Sequence, residues 1–408
     1  MKIEKKLWII LFAFGIFAIC FSGWIFRQST AREKLFWDNT IRCETKELKE
    51  GEIKAENIAL PKDFDVPKSI LFKTTHTIAE VWLDGEKIYE YGNEADAPGF
   101  MKTPGSCWHI VDISGDSSGK NLEVRIIPVY EGYYGNEVSL VYGTRGDCIL
   151  KILTDSLGIP VISCGILFAA VICILLYCGA ARRKRSDKTE AKIEIFLNLG
   201  FFSLLVAVWT LVQCGFLQFL IPDGRTLYFV EYFSLFLFPV PFNFLLYDIC
   251  KSRYHKGALI FSILYLTNMA VDVLLQCTGI IDMSRLLSVI HVIMVANVVY
   301  TVVIILYEAG KKENDVAQKF RYPMCVVMGF GMAEMIFYYL RRFEQISILL
   351  SMGTMLFIIM LIWIQVSQYY DQYIQKQKVI YLQKIANMDM LTEAMNRNAY
   401  EDMVKYLD

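Results

Sequence analysis

Three ionisable side chains, Asp272, His291 and Glu334, lie inside long apolar runs of the sequence. Each lies near an end of its run, and the three ends fall on the same side of the predicted membrane bundle. Ionisable groups in hydrocarbon are costly and usually face the bundle interior or a wet cavity. The functional interpretation is a small polar pocket open on that side. The alternative is that all three form hydrogen bonds at the level of the lipid headgroups.

The polar N-terminal part contains six aromatic and imidazole side chains that could bind a ligand. Aromatic faces stack on sugar rings while polar neighbours orient the hydroxyl groups. The alternative is that these side chains fill or cover the core of their own domain. No histidine here has a partner at metal-ligand spacing, so we expect no metal site. The ligand-binding candidates are Trp82, Trp108, His109, Tyr130, Tyr133 and Tyr134.

Long apolar runs place these residues relative to a membrane. Each run is about as long as a helix needs to cross a hydrocarbon layer of roughly 30 Å. In lipid such a run must be helical to satisfy its own backbone hydrogen bonds. The seven runs are Leu157–Ala180, Ile193–Leu220, Thr226–Cys250, Ala258–Ile280, Leu286–Tyr307, Tyr322–Leu340 and Ile346–Ile364. Leu7–Phe26 follows three lysines and lacks a small-x-small cleavage site, which favours an uncleaved anchor over a signal peptide.

Composition and loop charge support this arrangement. The chain is 55% hydrophobic, with a mean hydropathy of +0.38, which is typical of a membrane protein. The net charge of −1 gives no reason to expect a nucleic-acid partner. Every second loop between the predicted spans is basic, at residues 182–188, 251–256 and 311–321, and an excess of lysine and arginine is typical of cytoplasmic loops. We therefore expect a multi-pass protein of the cell membrane with both termini cytoplasmic and residues 27–156 extracellular. Arg341 and Arg342 are an exception to the charge rule, because they lie in a loop that this topology makes extracellular.

The expected extracellular part has the pattern of β-structure. Asp84-Gly85 between two strand patterns is a strong hairpin signal. Cys43, Cys107 and Cys148 lie in this part and allow at most one disulfide and one free thiol. The pattern predicts a β-sandwich, with short strands rich in β-branched and aromatic residues at Ile70–Thr75, Ala79–Leu83, Lys87–Tyr91, Asn121–Val129 and Val138–Tyr142.

Two stretches of this domain carry a family resemblance. Ile70–Gly92, with its V-W-L-D-G turn, and Asp112–Val124 are similar to jelly-roll domains of the galactose-binding-like type. Ahead of seven spans, such a domain resembles the bacterial seven-transmembrane receptors with diverse intracellular signalling modules. The resemblance implies an extracellular small-molecule ligand, with a carbohydrate as one candidate.

The stretch Gln365–Asn387 contains neither glycine nor proline, so we expect the last span to continue as one helix. Its apolar positions form an imperfect heptad pattern, with Gln377 and Lys384 near the seam. We expect a weak or adjustable homodimeric coiled coil here. The alternative is a solvated cytoplasmic helix without a partner.

The segment after this helix resembles the opening of a GGDEF domain, the diguanylate cyclase module. That family begins D-x-L-T-G-L-x-N-R-R-x-[FY], whereas Glu393, Ala394 and Asn398 depart from the pattern. The resemblance implies cyclic di-GMP synthesis from GTP with Mg²⁺ in a complete domain. The later metal-binding Asp and the GG[DE]EF hairpin do not occur up to Asp408, so we expect no catalytic residue and no cofactor in this chain. The residues that match are Asp389, Leu391, Thr392, Asn396, Arg397 and Tyr400.

The sequence therefore predicts a membrane sensor that would regulate a diguanylate cyclase. Its parts are an anchor (1–26), an extracellular jelly-roll β-sandwich (27–156), a seven-helix bundle (157–364), a cytoplasmic signalling helix (365–387) and the start of a GGDEF domain (388–408). Two alternatives remain. One is a non-enzymatic receptor that signals through a partner protein, and the other is a small-solute transporter.

Overall fold

The computed structural model describes residues 40–42, 54–60, 66–93, 98–130, 139–184, 194–311, 314–340 and 347–387. These residues form a β domain followed by a bundle of helices. The predicted anchor Leu7–Phe26 and most of the basic loop 182–188 lie outside the described residues.

The β domain contains two four-stranded antiparallel sheets, ordered β1-β8-β3-β6 and β2-β7-β4-β5. Apolar side chains from both sheets, among them Phe72, Val81, Ile113 and Leu122, form a shared core. The sheets therefore pack face to face as a sandwich. The strands are β1 Thr40–Arg42, β2 Lys54–Ala59, β3 Lys68–Thr75, β4 Thr77–Leu83, β5 Glu86–Tyr91, β6 Ser106–Ile113, β7 Asn121–Pro128 and β8 Ser139–Gly143.

The five strands predicted from sequence correspond to β3, β4, β5, β7 and β8. The predicted hairpin is confirmed, because β4 and β5 pair across Asp84 (φ 48°) and Gly85 (φ 86°). Positive φ at both positions is what a two-residue primed turn requires. Strand β6 was not predicted, because its inward positions include the polar His109 while the outward Trp108 and Ile110 are apolar.

A helix that the sequence analysis did not predict, α1 (Arg145–Ser156), closes the β domain. Thr144 and Asp147 cap its N-terminus reciprocally. Its Cys148 and Ile152 pack on Leu71 and Val141 of the sheet's outer face. The segment expected to be only β-sandwich therefore ends in a helix that leads into the bundle.

The bundle that follows consists of α2 Gly158–Lys184, α3 Glu194–Gln213, α4 Gly224–Leu237, α5 Pro239–Ile249, α6 His255–Cys277, α7 Leu287–Gly310, α8 Asp315–Tyr339 and α9 Ile348–Asn387. Short 3₁₀ segments at Phe216–Phe219 and Met283–Leu286 lie at the end of the bundle that faces the β domain. This end is called the β-domain end below.

Within the described residues, five helical segments are long and apolar enough to cross a membrane. One of them, Gly224–Ile249, combines α4 and α5 and corresponds to the single span expected from the sequence at Thr226–Cys250. The helix is divided in two at Pro239, because proline has no N–H to donate to the carbonyl four residues earlier. A further apolar segment, Ile348–Ile364, is shorter, and α8 does not meet the same requirement. The seven-span count stays a prediction.

Large apolar side chains cover the outside of the bundle. Phe168 on α2 is 69% exposed, Leu274 on α6 is 64% exposed and Val292 on α7 is 71% exposed. A water-soluble bundle would turn such residues inward, whereas lipid tails accept them. The surface therefore agrees with the helix lengths in indicating a membrane protein.

Candidate functional site

The β domain is joined to the bundle through Gln276, in the last turn of α6. Its Nε2 donates to the Phe100 carbonyl (2.7 Å) and to Asp282 Oδ1 (2.6 Å). Its Oε1 accepts from the Tyr228 hydroxyl (3.2 Å) and from the Met283 backbone N–H (3.0 Å). These four bonds use the full capacity of a carboxamide. One side chain thus links the β domain, α4, α6 and the segment before α7.

Asp282, in the α6–α7 connection, is the second element of this network. Its Oδ2 accepts a hydrogen bond from the hydroxyl of Tyr130, which follows β7. Burial raises the pKa of Tyr130 far above its usual range, so the phenol remains a donor. The guanidinium of Arg285 lies over the Tyr130 ring. Tyr130, a predicted ligand-binding residue, is therefore buried in the junction between the two domains.

A second junction lies at the end of α3. The Trp108 backbone N–H donates to Gln218 Oε1 (2.8 Å), and Gln218 Nε2 donates to the Trp108 carbonyl (2.6 Å). The indole lies so close to Gly215 that a Cβ there would be 2.9 Å from its ring. Met101 of the β domain is 3% exposed and belongs to the hydrophobic core of the bundle. Trp108 thus serves the docking of the domains and not an open binding face.

Two glycines allow the backbones to touch at the same junction. A Cβ at Gly105, which has a φ of 85°, would lie 2.3 Å from the Gly224 carbonyl oxygen. A Cβ at Gly224 would lie 2.2 Å from the Tyr91 hydroxyl. A larger residue at Gly105 would push against the Gly224 backbone and so move one domain away from the other, whereas at Gly224 it would first displace the Tyr91 side chain.

His76 occupies the centre of the junction. Its Nδ1 lies 2.8 Å from the Thr103 hydroxyl, and its ring meets Tyr228 edge-on at 5.8 Å between centroids. Burial lowers the pKa of His76 to about 4, although the charge of Asp282 acts in the opposite direction. The imidazole is therefore neutral at neutral pH.

A cavity of about 140 Å³ lies inside the bundle near the β-domain end. Most of its wall is apolar and aromatic, and α3, α4, α7, α8 and α9 all contribute to it. The polar residues at its wall are Gln213, Glu231, His291, Asn297 and Glu334. Two of the three ionisable residues singled out in the sequence, His291 and Glu334, therefore line one cavity.

Glu334 has a structural partner. Its two carboxylate oxygens accept from the backbone N–H groups of Ser347 (2.6 Å) and Leu350 (2.9 Å). These groups belong to the start of α9, where unpaired N–H groups and the helix dipole favour a negative charge. Glu334 on α8 thus caps α9.

His291 and Asp272 lie apart from each other. His291 Nδ1 lies 2.9 Å from the Tyr339 hydroxyl at the cavity's edge. Asp272 on α6 is not part of the cavity wall; it is 2% exposed and accepts from Asn268 Nδ2 (2.7 Å). The structure therefore does not bring the three residues into a single cluster.

Trp82 is the candidate that stays on an outer sheet face. Its Nε1 donates to Glu80 Oε2 (3.0 Å), and the Arg125 guanidinium lies 4.4 Å from the ring centre. Lys87 lies 5.6 Å from the same ring centre. The indole therefore already interacts with two basic side chains.

His109 lies between the sheets and is 1% exposed. Its Nε2 lies 2.6 Å from the Thr74 hydroxyl, its Nδ1 lies 2.9 Å from the Tyr89 hydroxyl, and its ring stacks on Phe72. Burial lowers the pKa of His109 to about 3, so the ring is neutral. Its position is that of a core residue.

Other expectations of the sequence analysis lie where the structure describes little. Tyr133, Tyr134, Cys43 and the GGDEF-like residues Asp389, Leu391, Thr392, Asn396 and Arg397 are outside the described residues. Cys107 and Cys148 are free and buried. The described part of the chain contains no group of three His, Cys, Asp or Glu that could hold a metal ion.

Glu231, Gln276 and Asp282 were not singled out in the sequence. Glu231 could have been, because it is an acidic residue within the apolar run Thr226–Cys250. Gln276 and Asp282 carry no such signal, since each lies at a span end where polar residues are ordinary.

No protein-family model matches this chain, and neither the curated proteins nor the solved structures contain a match.

Proposed function

We propose that this chain is a membrane-bound signal-transduction sensor in which the β domain acts on the bundle and the bundle acts on α9. The observation that carries the proposal is the set of bonds around Gln276 and Asp282. Because Gln276 is bonded at once to Phe100, Tyr228 and Met283, a shift of the β domain changes the positions of α4, α6 and α7. Contacts of this kind couple the position of the β domain to that of the bundle.

The output element in this proposal is α9. It begins at Ile348, against the Glu334 cap, and continues as a single helix to Asn387. At 1.5 Å per residue its 40 residues extend over about 60 Å. A continuous helix of this length transmits a rotation or a shift from one end to the other, as a signalling helix must.

The finer arrangement is part of the proposal. The β domain is an extracellular jelly roll that binds a small molecule, with a carbohydrate as one candidate, and the bundle has seven spans preceded by an N-terminal anchor. Both termini are cytoplasmic, and the end of α9 pairs with a second copy of the chain. The basic loops and the exposed apolar side chains of α2, α6 and α7 support this arrangement.

The proposed output is a diguanylate cyclase. Support comes from the resemblance of residues 388–408 to the opening of that domain, directly after α9. GTP and Mg²⁺ belong to the complete domain. The sequence up to Asp408 contains no GG[DE]EF hairpin, and no step of that reaction is assigned to its residues.

The test is a fusion of a complete diguanylate cyclase domain in frame after Asn387, with cyclic di-GMP measured by mass spectrometry. One to four residues are inserted between Gln375 and Lys384, within α9. Each inserted residue rotates the fused domain by about 100°. Activity should therefore vary with insertion length and recover near four, where the rotation returns close to a full turn.

Two further fusions separate signalling from tethering. Gln276→Leu should change the basal output, because it breaks the bonds between the β domain and the bundle, whereas the adjacent exposed Cys277→Ala should not. If cyclic di-GMP production depended neither on insertion length nor on Gln276→Leu, α9 would be a passive tether and the proposal would be rejected.

A further inference from the structure

We propose that the cavity inside the bundle is a binding site for a small organic cation that carries one ring, with Glu231 as the anion that holds its ammonium group. This site is distinct from the candidate face of the β domain. Ligand binding there can be measured without any signalling output.

The size of the cavity defines the class of ligand. Its volume is about 140 Å³. An engineered protein cavity of about 150 Å³ is known to hold benzene. A single ring with a short substituent therefore fits, whereas a disaccharide or a lipid headgroup with its chains does not.

The wall suits a cation with an apolar body. Aromatic side chains surround the space, including Phe202, Trp209, Tyr232, Phe242 and Tyr265. Their ring faces attract positive charge in addition to packing on apolar groups. Among the described residues that line the cavity, none is lysine or arginine, so no basic side chain occupies the wall itself.

Glu231 supplies the specific contact. Gln213 Nε2 donates to its Oε1 (2.7 Å), which fixes the orientation of the carboxylate. No described residue donates a hydrogen bond to its Oε2. Lys73 of β3 attracts this carboxylate electrostatically, but it is not part of the cavity wall. An ammonium group in the cavity would donate to Oε2 in a charge-assisted hydrogen bond.

The second carboxylate in the wall cannot play this role. Both oxygens of Glu334 already accept backbone N–H groups at the start of α9. Its charge is further offset by the helix dipole. Glu334 is therefore a matched control for Glu231, because it is an acidic side chain of the same cavity with its acceptors already used.

The test uses the purified full-length chain in lipid nanodiscs and three probes of nearly equal shape: benzylamine, benzyl alcohol and benzoate. Calorimetry gives the affinity of each probe. Benzylamine should bind at least about tenfold more tightly than benzyl alcohol, because a charge-assisted hydrogen bond exceeds a neutral one by roughly 1.4 kcal/mol or more. Benzoate, which is repelled by Glu231, should show no binding.

Variants assign the effect to the cavity. Glu231→Gln keeps the shape and removes the charge, so it should reduce the preference for benzylamine to less than about threefold. Glu334→Gln should leave the preference intact. Gly331→Val should lower the affinity for benzylamine and benzyl alcohol equally, because Gly331 lines the cavity and a larger side chain there would reduce its volume. A Cβ at this position would contact only Leu350, at 3.6 Å, so the variant should still fold.

Equal binding of benzylamine and benzyl alcohol would overturn the proposal, as would a full preference in Glu231→Gln. If Glu334→Gln lost the preference for benzylamine and Glu231→Gln kept it, the anion would be Glu334 and the proposal would also be rejected. None of these results bears on the cyclase fusions, so a failed cation site and a failed signalling role are distinguishable.

Discussion

Gln276 at the domain junction and Glu231 at the cavity wall are both polar side chains of transmembrane helices, but their hydrogen bonding differs. Gln276 forms four hydrogen bonds, and no capacity remains for a ligand. Glu231, which lines the cavity, accepts a hydrogen bond from Gln213 at Oε1, and no described residue donates to its Oε2. A polar group that is fully paired fixes one arrangement of the protein, whereas an incompletely paired one is available to a ligand.

This difference separates structural from binding roles better than residue type does. The sequence suggested Glu334 as part of a small polar pocket, yet both of its carboxylate oxygens accept backbone N–H groups at the start of α9. Single substitutions can test this contrast. Removing a fully paired side chain at the junction should cost much stability, whereas removing an incompletely paired one at the cavity wall should cost little.

The largest effect is expected from Gln276→Leu. It leaves the Phe100 carbonyl, the Tyr228 hydroxyl and the Met283 N–H without their partner. Buried unpaired groups of this kind should together lower the free energy of unfolding by on the order of 3–5 kcal/mol. Thermal unfolding in detergent measures the loss, with the exposed Cys277→Ala as the control. A loss no larger than that of the control would show that the junction is not tightly bonded.

Acid should destabilise the β-domain side of the molecule. Burial holds the pKa of His76 at about 4 and that of His109 at about 3, whereas both rings bind a proton near pH 6.5 when the chain is unfolded. The unfolded state therefore takes up more protons as the pH falls below about 6.5. Stability should be fully present above that pH and should fall toward pH 4, by on the order of 3 kcal/mol for each ring.

Unfolding midpoints of the full-length chain between pH 4.5 and pH 7.5 measure this dependence. His109→Gln should make the curve shallower, because it removes one of the two titrating groups. A curve that stays equally steep in this variant would place the titrating group elsewhere.

Tyr130→Phe removes only the hydroxyl that donates to Asp282. Hydrogen bonds to charged groups contribute about 1.5–3 kcal/mol, and the loss should be in this range. The exposed Tyr381→Phe on α9 is the matched control and should have no effect. If the two variants unfold alike in chemical denaturation, the Tyr130–Asp282 bond does not stabilise the junction.

The smallest effects should distinguish the two carboxylates of the cavity. Glu334→Gln loses one of two acceptors at the start of α9 and should cost about 1–2 kcal/mol. Glu231→Gln removes a charge in the bundle that is only partly paired, and it should be neutral or stabilising. The two single variants are compared in the same detergent. The reverse order of stability would exchange their assigned roles.

The sequence predicted the parts of the fold that repeat a simple period. Alternation in Asn121–Ile126 and the Asp84-Gly85 turn located strands and a hairpin, and apolar length located the helices. It missed β6, because His109 faces the core while Trp108 packs outward against Gln218. The single span expected at Thr226–Cys250 corresponds to Gly224–Ile249, in which Pro239 divides the helix into α4 and α5, a local feature that the hydrophobic pattern does not show.

The candidate sites were less predictable, for a physical reason. Tyr130, Trp108 and His109 have the residue types of a sugar site, but their partners lie in other elements: Tyr130 bonds to a residue 152 positions away and Trp108 to one 110 positions away. Residue type shows that a side chain can form a contact. It does not show whether another part of the chain already uses that contact.

These sequence separations also set an order for synthesis. The β domain leaves the ribosome well before α6 and α7 exist, since Phe100 and its partner Gln276 are 176 residues apart. At about 5–20 residues per second, the surface that receives Met101 is completed roughly 10–30 s later. The β domain must therefore fold first and wait with its junction face uncovered. The docking of the two domains can therefore begin only after α6 and the segment before α7 have been made, long after the β domain itself is complete.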